Sequence, residues 1–496
     1  MSRSEFRKAL GLFDSVMIVA GIMVGSGIFI VSAEISRQVG AAGWLLVAWG
    51  ITGFLTVSGA ISYGELAAMM PIAGGMYVYL REAFSPFVGF LYGWTLMTVI
   101  QTGSIAAVAI AFARFSGVLF PSVSDTHYLL APRRFLSGYA ISLSTTQCLA
   151  LAIILAACLI NIRGLRWGKL VQNVFTPAKL LGMVLLLGLG AYALLRNPSV
   201  LRLNFAQPWH PQNVSRTGGL SAMTAAGMIV ALCVSQTGSL FAANSWHEIT
   251  FVAGEVRHPQ RNLPLALGLG ASLVILLYLL CNLCYLAVTP IHSIQTAAGD
   301  RVATLVVDTV LPGIGSLAMG CMIMVSTFGT VNALTLAGSR ACYAMAKDGL
   351  FFRRAGVLNR QGVPGWALAL QCVWALLLVL PRTYNPRLQT YGDLYSNLLD
   401  YVISAALIFY ILTVAGLFRL RRTRPDAARP YRCWGYPWLP AMYIAGASFV
   451  LVVLFAYRTA TTWPGLIIVI SGVPVYGLLR RGSEMRKEST DAALAG

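Results

Sequence analysis

Runs of apolar residues about 20 long, each enough to cross a hydrocarbon core about 30 Å thick, recur from one end of this 496-residue chain to the other. No other feature constrains the fold as much, because in lipid every backbone N–H and C=O must find its partner within protein. The alternating ten-residue segments that build membrane barrels are not seen, so the chain reads as an all-α polytopic membrane protein. Its charged residues make up 11%, against roughly 25% in a soluble protein. About twelve transmembrane helices are expected, near 13–37, 42–70, 84–119, 140–161, 170–195, 222–255, 262–288, 312–346, 365–381, 391–418, 436–457 and 462–480. The stretch 290–315 is too polar to span and reads as a loop with short helical pieces. The polar tail 481–496 is expected to be mobile.

A formal charge of +19 raises the question of nucleic acid, and the placement of the basic residues answers it. One set of loops collects 23 of the 36 lysines and arginines, the opposite loops 11, and two (Lys179, Arg340) fall within spans. By the positive-inside rule this asymmetry predicts a multi-pass protein of the cell (inner or plasma) membrane with both termini cytoplasmic. The lipid bilayer, not nucleic acid, is the expected partner of the charge. Eight of the nine cysteines lie in apolar spans and Cys433 in a basic loop. The pair Cys281 and Cys284 has redox spacing but lies inside an apolar helix without a second pair, so these read as buried small hydrophobes. No nucleophile–base pair and no metal-ligand cluster appears, so neither an enzyme nor a metal or other cofactor is expected.

The first span contains "AGIMVGSGIF" (Ala20 to Phe29), with Gly21, Gly25, Ser26 and Gly27 where a membrane helix should be continuous. The sixth contains "QTGSLFAANSWHE", a run of small and polar residues closing on Trp246, His247 and Glu248. Glycine-interrupted segments at corresponding positions of two five-helix halves mark a transporter binding site near the bilayer midplane. Unwinding near Val24 to Gly27 frees N–H groups of Ser26 and Gly27, at the positive end of the second half-helix, for a substrate carboxylate. It also frees carbonyls near Ile22, with others at Phe241, Ala242 and Asn244, for an ammonium group. The plainer alternative for Gly21 and Gly25, four residues apart, is close helix packing. A nucleotide-binding loop is disfavoured, since the third glycine of that motif is missing and no strand precedes it.

Lys179 lies inside the fifth span, where an ionisable group is by default a functional hypothesis and a snorkelling lysine the alternative. A carbonyl near Gly21 and the hydroxyls of Ser326 or Thr327 are its expected partners. Phe241, at the start of the sixth-span break, is placed to cover a substrate as a gate, or simply to pack. Thr98, Gln101 and Ser104 recur three apart and share a face of the third span, either lining the cavity or bonding across helices. Met23, Gln101 and Asn244 are the expected selectors of side chain. His247 and Glu248 are unusual at membrane depth and fit either a pathway or a structural cap.

The chain resembles the amino acid–polyamine–organocation superfamily, and within it the L-type amino acid transporter family. The likeness rests on "GSGIF", "SYGELAAMMPIAGGMYVYLREAFSP", "VQNVFTPAKLL", "GEVRHPQRNLP", "STFGTVNALTLAGSR" and "RPYRCWGYPWLP", together and in order. It implies a LeuT-type 5+5 inverted repeat with discontinuous helices 1 and 6. The parts would be a cytoplasmic N-terminus (1–12), a first repeat (13–195), an inverted second repeat (222–418), helices 11 and 12 (436–480) and a cytoplasmic tail (481–496). It implies substrate roles for Ser26 and Gly27, a gating aromatic at Phe241, and a sodium-replacing amine at Lys179. Many relatives have glycines where this chain reads Asn244-Ser245. The loop "PSVSDTHYLLAPRRF" has no cysteine where animal members bond a heavy subunit, so no disulfide-linked heavy subunit is expected and a prokaryotic homologue is implied.

These readings converge on sodium-independent transport of neutral L-amino acids by alternating access, through exchange or proton coupling. The alternatives are a permease for cationic amino acids or polyamines, for which Glu248 would be the nearby carboxylate, and a non-transporting amino-acid sensor.

Overall fold

The computed structural model describes residue 8 and residues 10–72, 74–136, 138–385 and 390–495. Residues 1–7 and 9, within the expected N-terminal segment 1–12, lie outside the described residues, as does Gly496. The chain opens with α1 (Leu12–Met23) and α2 (Gly27–Val39), bent by 47° at the glycine-rich break. Next come α3 (Ala42–Met69), the short α4 (Met76–Ala83), and α5 (Pro86–Thr95), which runs through one π-turn (Leu96–Ile100) into α6 (Gln101–Leu119). Then follow α7 (Thr145–Ile162), α8 (Leu165–Arg196), α9 (Ser199–Asn204) and α10 (Ala225–Ala242), which breaks into a 3-10 segment (Trp246–Glu255). The remainder is α11 (Pro259–Val288), α12 (Ile291–Gln295), α13 (Val302–Val310), α14 (Gly315–Lys347), α15 (Gly365–Leu378), α16 (Leu394–Thr423), α17 (Trp438–Tyr457) and α18 (Thr459–Ala495).

Ten of these helical segments are long and apolar enough to cross a membrane, and the bent pair α1–α2 makes eleven. The ninth expected span, 365–381, shortens to α15, whose 14 residues reach about 21 Å. Its C-terminal end and the start of the expected fourth span are strand instead. Tyr128–Leu136 (β1), Tyr139–Ser144 (β2), Pro381–Asn385 (β3) and Thr390–Tyr391 (β4) form an antiparallel sheet over one end of the bundle. Ala140 pairs with Arg382 and Ile141 with Pro381, and the Gln147 amide donates to the Val379 carbonyl at 2.7 Å. Strand partners this far apart in the chain, one with Pro132 inside it, leave no local alternation to read. The stretch 290–315 folds as the expected short helices, α12 and α13. Beyond the last span, α18 continues through the expected tail to Ala495.

Burial sorts the helices. The most apolar stretch of the α5–α6 segment is 94% buried within the fold, while those of Thr459–Leu479 in α18 and Phe175–Arg196 in α8 are 22% and 28% buried. The third span is therefore the axis of the molecule, with α7, α8, α17 and α18 at its periphery. The broken helices α1–α2 and α10 also lie inside. They meet where a Cβ on Gly27 would stand 2.5 Å from the Ala242 Cβ, so only glycine allows this approach.

The sixth-span break is built differently from the first. Helix α10 stops at Ala242, and Ser245 takes the left-handed conformation (φ 69°) before the 3-10 segment starts. That conformation costs a non-glycine residue roughly 1–2 kcal/mol, so serine strains the turn. Ser245→Gly is expected to raise the thermal midpoint of the detergent-solubilised protein, and Ser245→Val to lower it, both read by fluorescence-detected unfolding. A Ser245→Val protein as stable as wild type would show that the strain is absent.

Candidate functional site

The chain breaks create unpaired backbone groups, and the structure shows what meets them. Val24, at the end of α1, turns to extended geometry (ψ 90°), which leaves the last carbonyls of α1 without helical partners. The buried Tyr278 hydroxyl of α11 lies 2.9 Å from the Met23 carbonyl and 3.0 Å from the Ala242 carbonyl, sharing its one proton between the two broken helices. One turn of α2 later, the Tyr285 hydroxyl donates to the Ile28 carbonyl at 3.2 Å. Neither tyrosine is evident as a site residue from sequence. The available signal is a phenol tip inside an otherwise apolar run, which in lipid must find a partner.

Lys179 is 1% exposed and reaches from α8 into the same region. Its ammonium donates to the Gly21 carbonyl and to Thr330 Oγ1, the latter at 3.4 Å. The expected second partners, Ser326 and Thr327, are replaced. Thr327 Oγ1 donates within α14 to the Ile323 carbonyl at 2.8 Å, and Ser326 Oγ is buried without a hydrogen bond. Positions 326 and 330 share a face of α14 one turn apart, and the depth at which α8 meets that face selects Thr330. Sequence locates the face and not the depth.

Between the two breaks lies a small enclosed cavity of about 20 Å³. Ile22, Met23, Ser26, Gly27, Phe241, Ala242 and Asn244 line it, joined by Ser104 and Val108 of α6 and by Thr330 and Leu334 of α14. Gln101 does not. Its amide donates across to the Leu334 carbonyl at 2.8 Å, and its side chain packs against Gly338. Thr98 also stays out of the cavity, its carbonyl accepting from the Trp374 indole at 2.6 Å. Of the three polar positions on that face, only Ser104 reaches the cavity, because Gln101 is consumed in an interhelical bond.

Two side chains shape the walls further. Ser26 Oγ lies 3.1 Å from the Tyr395 hydroxyl, and the Phe241 ring meets Tyr395 edge-on at 6.2 Å. Together Phe241 and Tyr395 cover the chamber toward the sheet end. On the opposite side, the Tyr410 hydroxyl donates to Asn244 Oδ1, and His247 Nδ1 stands 3.2 Å from the Tyr410 hydroxyl oxygen. With the phenol proton committed to Asn244, His247 must present an N–H there. Asn244 is therefore fixed in orientation at the chamber wall. A volume of about 20 Å³ holds a water molecule, so an amino acid enters only when the surrounding helices separate.

The two ends of the molecule are tied by charge. At the sheet end Arg114 pairs with Asp393 and Asp125, and Arg37 with Asp300 at 2.7 Å. At the other end Arg81 pairs with Asp348 and Arg340 with Glu255 at 3.2 Å, around a second cavity of about 220 Å³. The small chamber between the two breaks thus lies between two ion-paired ends of the bundle.

Comparison with known proteins bears on this arrangement. Residues 10–478 match the amino acid permease family. The human large neutral amino acids transporter small subunit 2 is 30% identical over 479 residues, covering 95% of this chain and 80% of that protein. The mouse b(0,+)-type amino acid transporter 1 is 28% identical, covering 96% of this chain and 89% of its own length. The human b(0,+)-type transporter 1 is likewise 28% identical, over 96% and 88%. Taken with the broken helices and the enclosed chamber, the match establishes that this chain belongs to the amino acid permease family, as a multi-pass membrane transporter of amino acids and not an enzyme.

Proposed function

We propose that this permease carries neutral L-amino acids without sodium, by alternating access of the chamber between its broken helices, as an exchanger or with a proton. The observation that carries the reading is the meeting of two backbone breaks at one chamber, with Ser26 and Gly27 opening α2 on one side and Asn244 on the other. A substrate carboxylate is best held by the N–H groups of Ser26 and Gly27, where the α2 dipole is positive. Its ammonium is best held by carbonyls near Ile22, Phe241, Ala242 and Asn244. Phe241 serves as the gate. Met23 and Asn244 select the side chain, and Asn244-Ser245 in place of glycines narrows the chamber.

Lys179 supports the sodium-independent reading, since its ammonium supplies fixed positive charge to a carbonyl at the first break. We assign residues 13–195 and 222–418 to the two inverted five-helix repeats, with 436–480 outside them. We assign the N-terminal segment 1–12 and the tail 481–496 to the cytoplasm and the protein to the cell membrane, a reading that the distribution of basic loops supports. The chain works without a disulfide-linked heavy subunit, in keeping with the cysteine-free stretch between Phe120 and Ser144. The chamber lining carries no carboxylate among the described residues, which favours neutral substrates over basic ones.

Counterflow of radiolabelled leucine or alanine in proteoliposomes tests the reading, and it is expected to persist when sodium is replaced by choline. Strict sodium dependence would overturn the assignment of Lys179. Lys179→Ala should lower uptake on the order of tenfold while the protein still elutes as a folded species. Wild-type rates in that variant would remove the ion-replacing role. Stronger competition by arginine or putrescine than by neutral amino acids would replace the neutral substrate class with a basic one.

A further inference from the structure

Glu248 takes no part in the chamber, and the fold surrounds it in an unusual way. It is 3% exposed, in the 3-10 segment that follows the sixth-span break, and its Oε2 has no hydrogen-bond partner. Ser245 and Gln101 are the hydrogen-bonding side chains within reach of its carboxyl group. Gln101 already gives its amide to the Leu334 carbonyl. Two further buried polar atoms in the same layer are also unpartnered: the Tyr92 hydroxyl, close enough to interact electrostatically with Glu248, and the Gln371 amide, packed beside Gln101 against Gly338. Buried polar atoms are nearly always satisfied, so three together mark a place with a task.

Its position along the chain indicates which task. Ser245 lines the central chamber, and Phe251 to Glu255 reach the cavity of about 220 Å³ at the end opposite the sheet. Glu248 lies three residues from each, roughly 6 Å along a 3-10 segment in either direction. It is thus the carboxylate between the two compartments. The titratable groups facing it are the Tyr92 and Tyr410 hydroxyls and the adjacent His247, whose ring meets Tyr63. Of the charged groups on the elements packed against the segment, Arg261 lies at the start of α11 beside Lys8, Arg257 and His258, and the following are engaged elsewhere. Glu65 of α3 holds Arg421, Arg81 of α4 holds Asp348, Arg340 of α14 holds Glu255, and Lys347 lies over Tyr343. Asp14 of α1 accepts from the Gly11 N–H at that helix's start. Among the described residues no cation pairs with Glu248.

An unpaired carboxylate sealed in such a site costs several kcal/mol, so a positive partner has to accompany it through each closure. A substrate ammonium would have to line the chamber with Glu248, which it does not; a proton has no such requirement. We propose that Glu248 is the proton-binding group of this transporter, taking one proton from the chamber side as an O–H bond on Oε2 and releasing it to water in the opposite cavity. The inference rests on the transport reading above and decides its mode of coupling.

Full-length protein in proteoliposomes tests both readings separately. Leucine counterflow at equal pH reports transport alone; its absence for every amino acid in wild type would remove the transport reading and this proposal with it. Under an imposed gradient of one pH unit, wild type should accumulate leucine about tenfold for one proton per substrate. Leucine addition should also shift the signal of a trapped pH-sensitive dye. Glu248→Gln should keep counterflow and lose both gradient-driven accumulation and the dye signal, while Glu248→Asp keeps a gradient response. The proposal is overturned if wild type exchanges leucine without responding to the gradient, or if Glu248→Gln accumulates leucine as wild type does. It is equally overturned if Glu248→Gln loses arginine transport alone, which would make the carboxylate a substrate counter-charge.

Discussion

A helix that unwinds inside a membrane exposes carbonyls and N–H groups that cannot turn to water. In this protein one phenol proton answers for two of them. Tyr278, carried on the continuous helix α11, bridges the carbonyls of Met23 and Ala242 and so joins the first break to the second. Lys179 does the same for the Gly21 carbonyl from α8, with Thr330 of α14 as its second contact. Since each unmet group costs several kcal/mol in hydrocarbon, neither break is stable without the helices around it. Gly27 completes the arrangement by letting the start of α2 touch the end of α10.

The rest of the architecture follows from protecting that junction. The third span runs through the middle, almost wholly buried, and lends Ser104 and Val108 to the chamber. Helices with little burial, α8 and α18 among them, form the outer layer, and Lys179 is the point where that layer reaches inward. The small sheet closes one end by stitching the loops after α6 and α15. Ion pairs close both ends, and pairs near the surface are individually weak. On the alternating-access reading proposed above, they suit contacts that are broken and remade as the chamber changes sides. Tyr278, buried at the centre, suits a contact that persists.

Beside the chamber, and not lining it, lies a buried polar layer that contains Glu248, Gln101 and Gln371. Asn244 marks the border, held by Tyr410, whose hydroxyl in turn faces His247 Nδ1. On the proposed reading, recognition of the amino-acid head group by the broken backbones is separate from whatever charge travels with it.

Much of this was legible in the chain alone. Hydrophobic length and breaker residues locate the spans to within a few residues, because lipid enforces continuous helices and makes any exception conspicuous. "AGIMVGSGIF" and "QTGSLFAANSWHE" are such exceptions, and they point to Ser26, Gly27, Phe241, Ala242 and Asn244 at the chamber wall. An isolated lysine in an apolar run points to Lys179. What only the tertiary structure decided is which groups meet. Whether Thr330 or Ser326 faces Lys179 depends on helix depth, and whether Gln101 turns to the chamber or to Leu334 depends on the rotation of α6 against α14. Tyr278 meets the Met23 carbonyl, and Tyr395 meets Ser26, because helices distant in the chain cross there, and the sheet exists because two distant loops share one end. Local pattern reports the periodicity and solvent of a segment. It carries no record of the distance between segments, and hydrogen bonds are made or lost within an ångström.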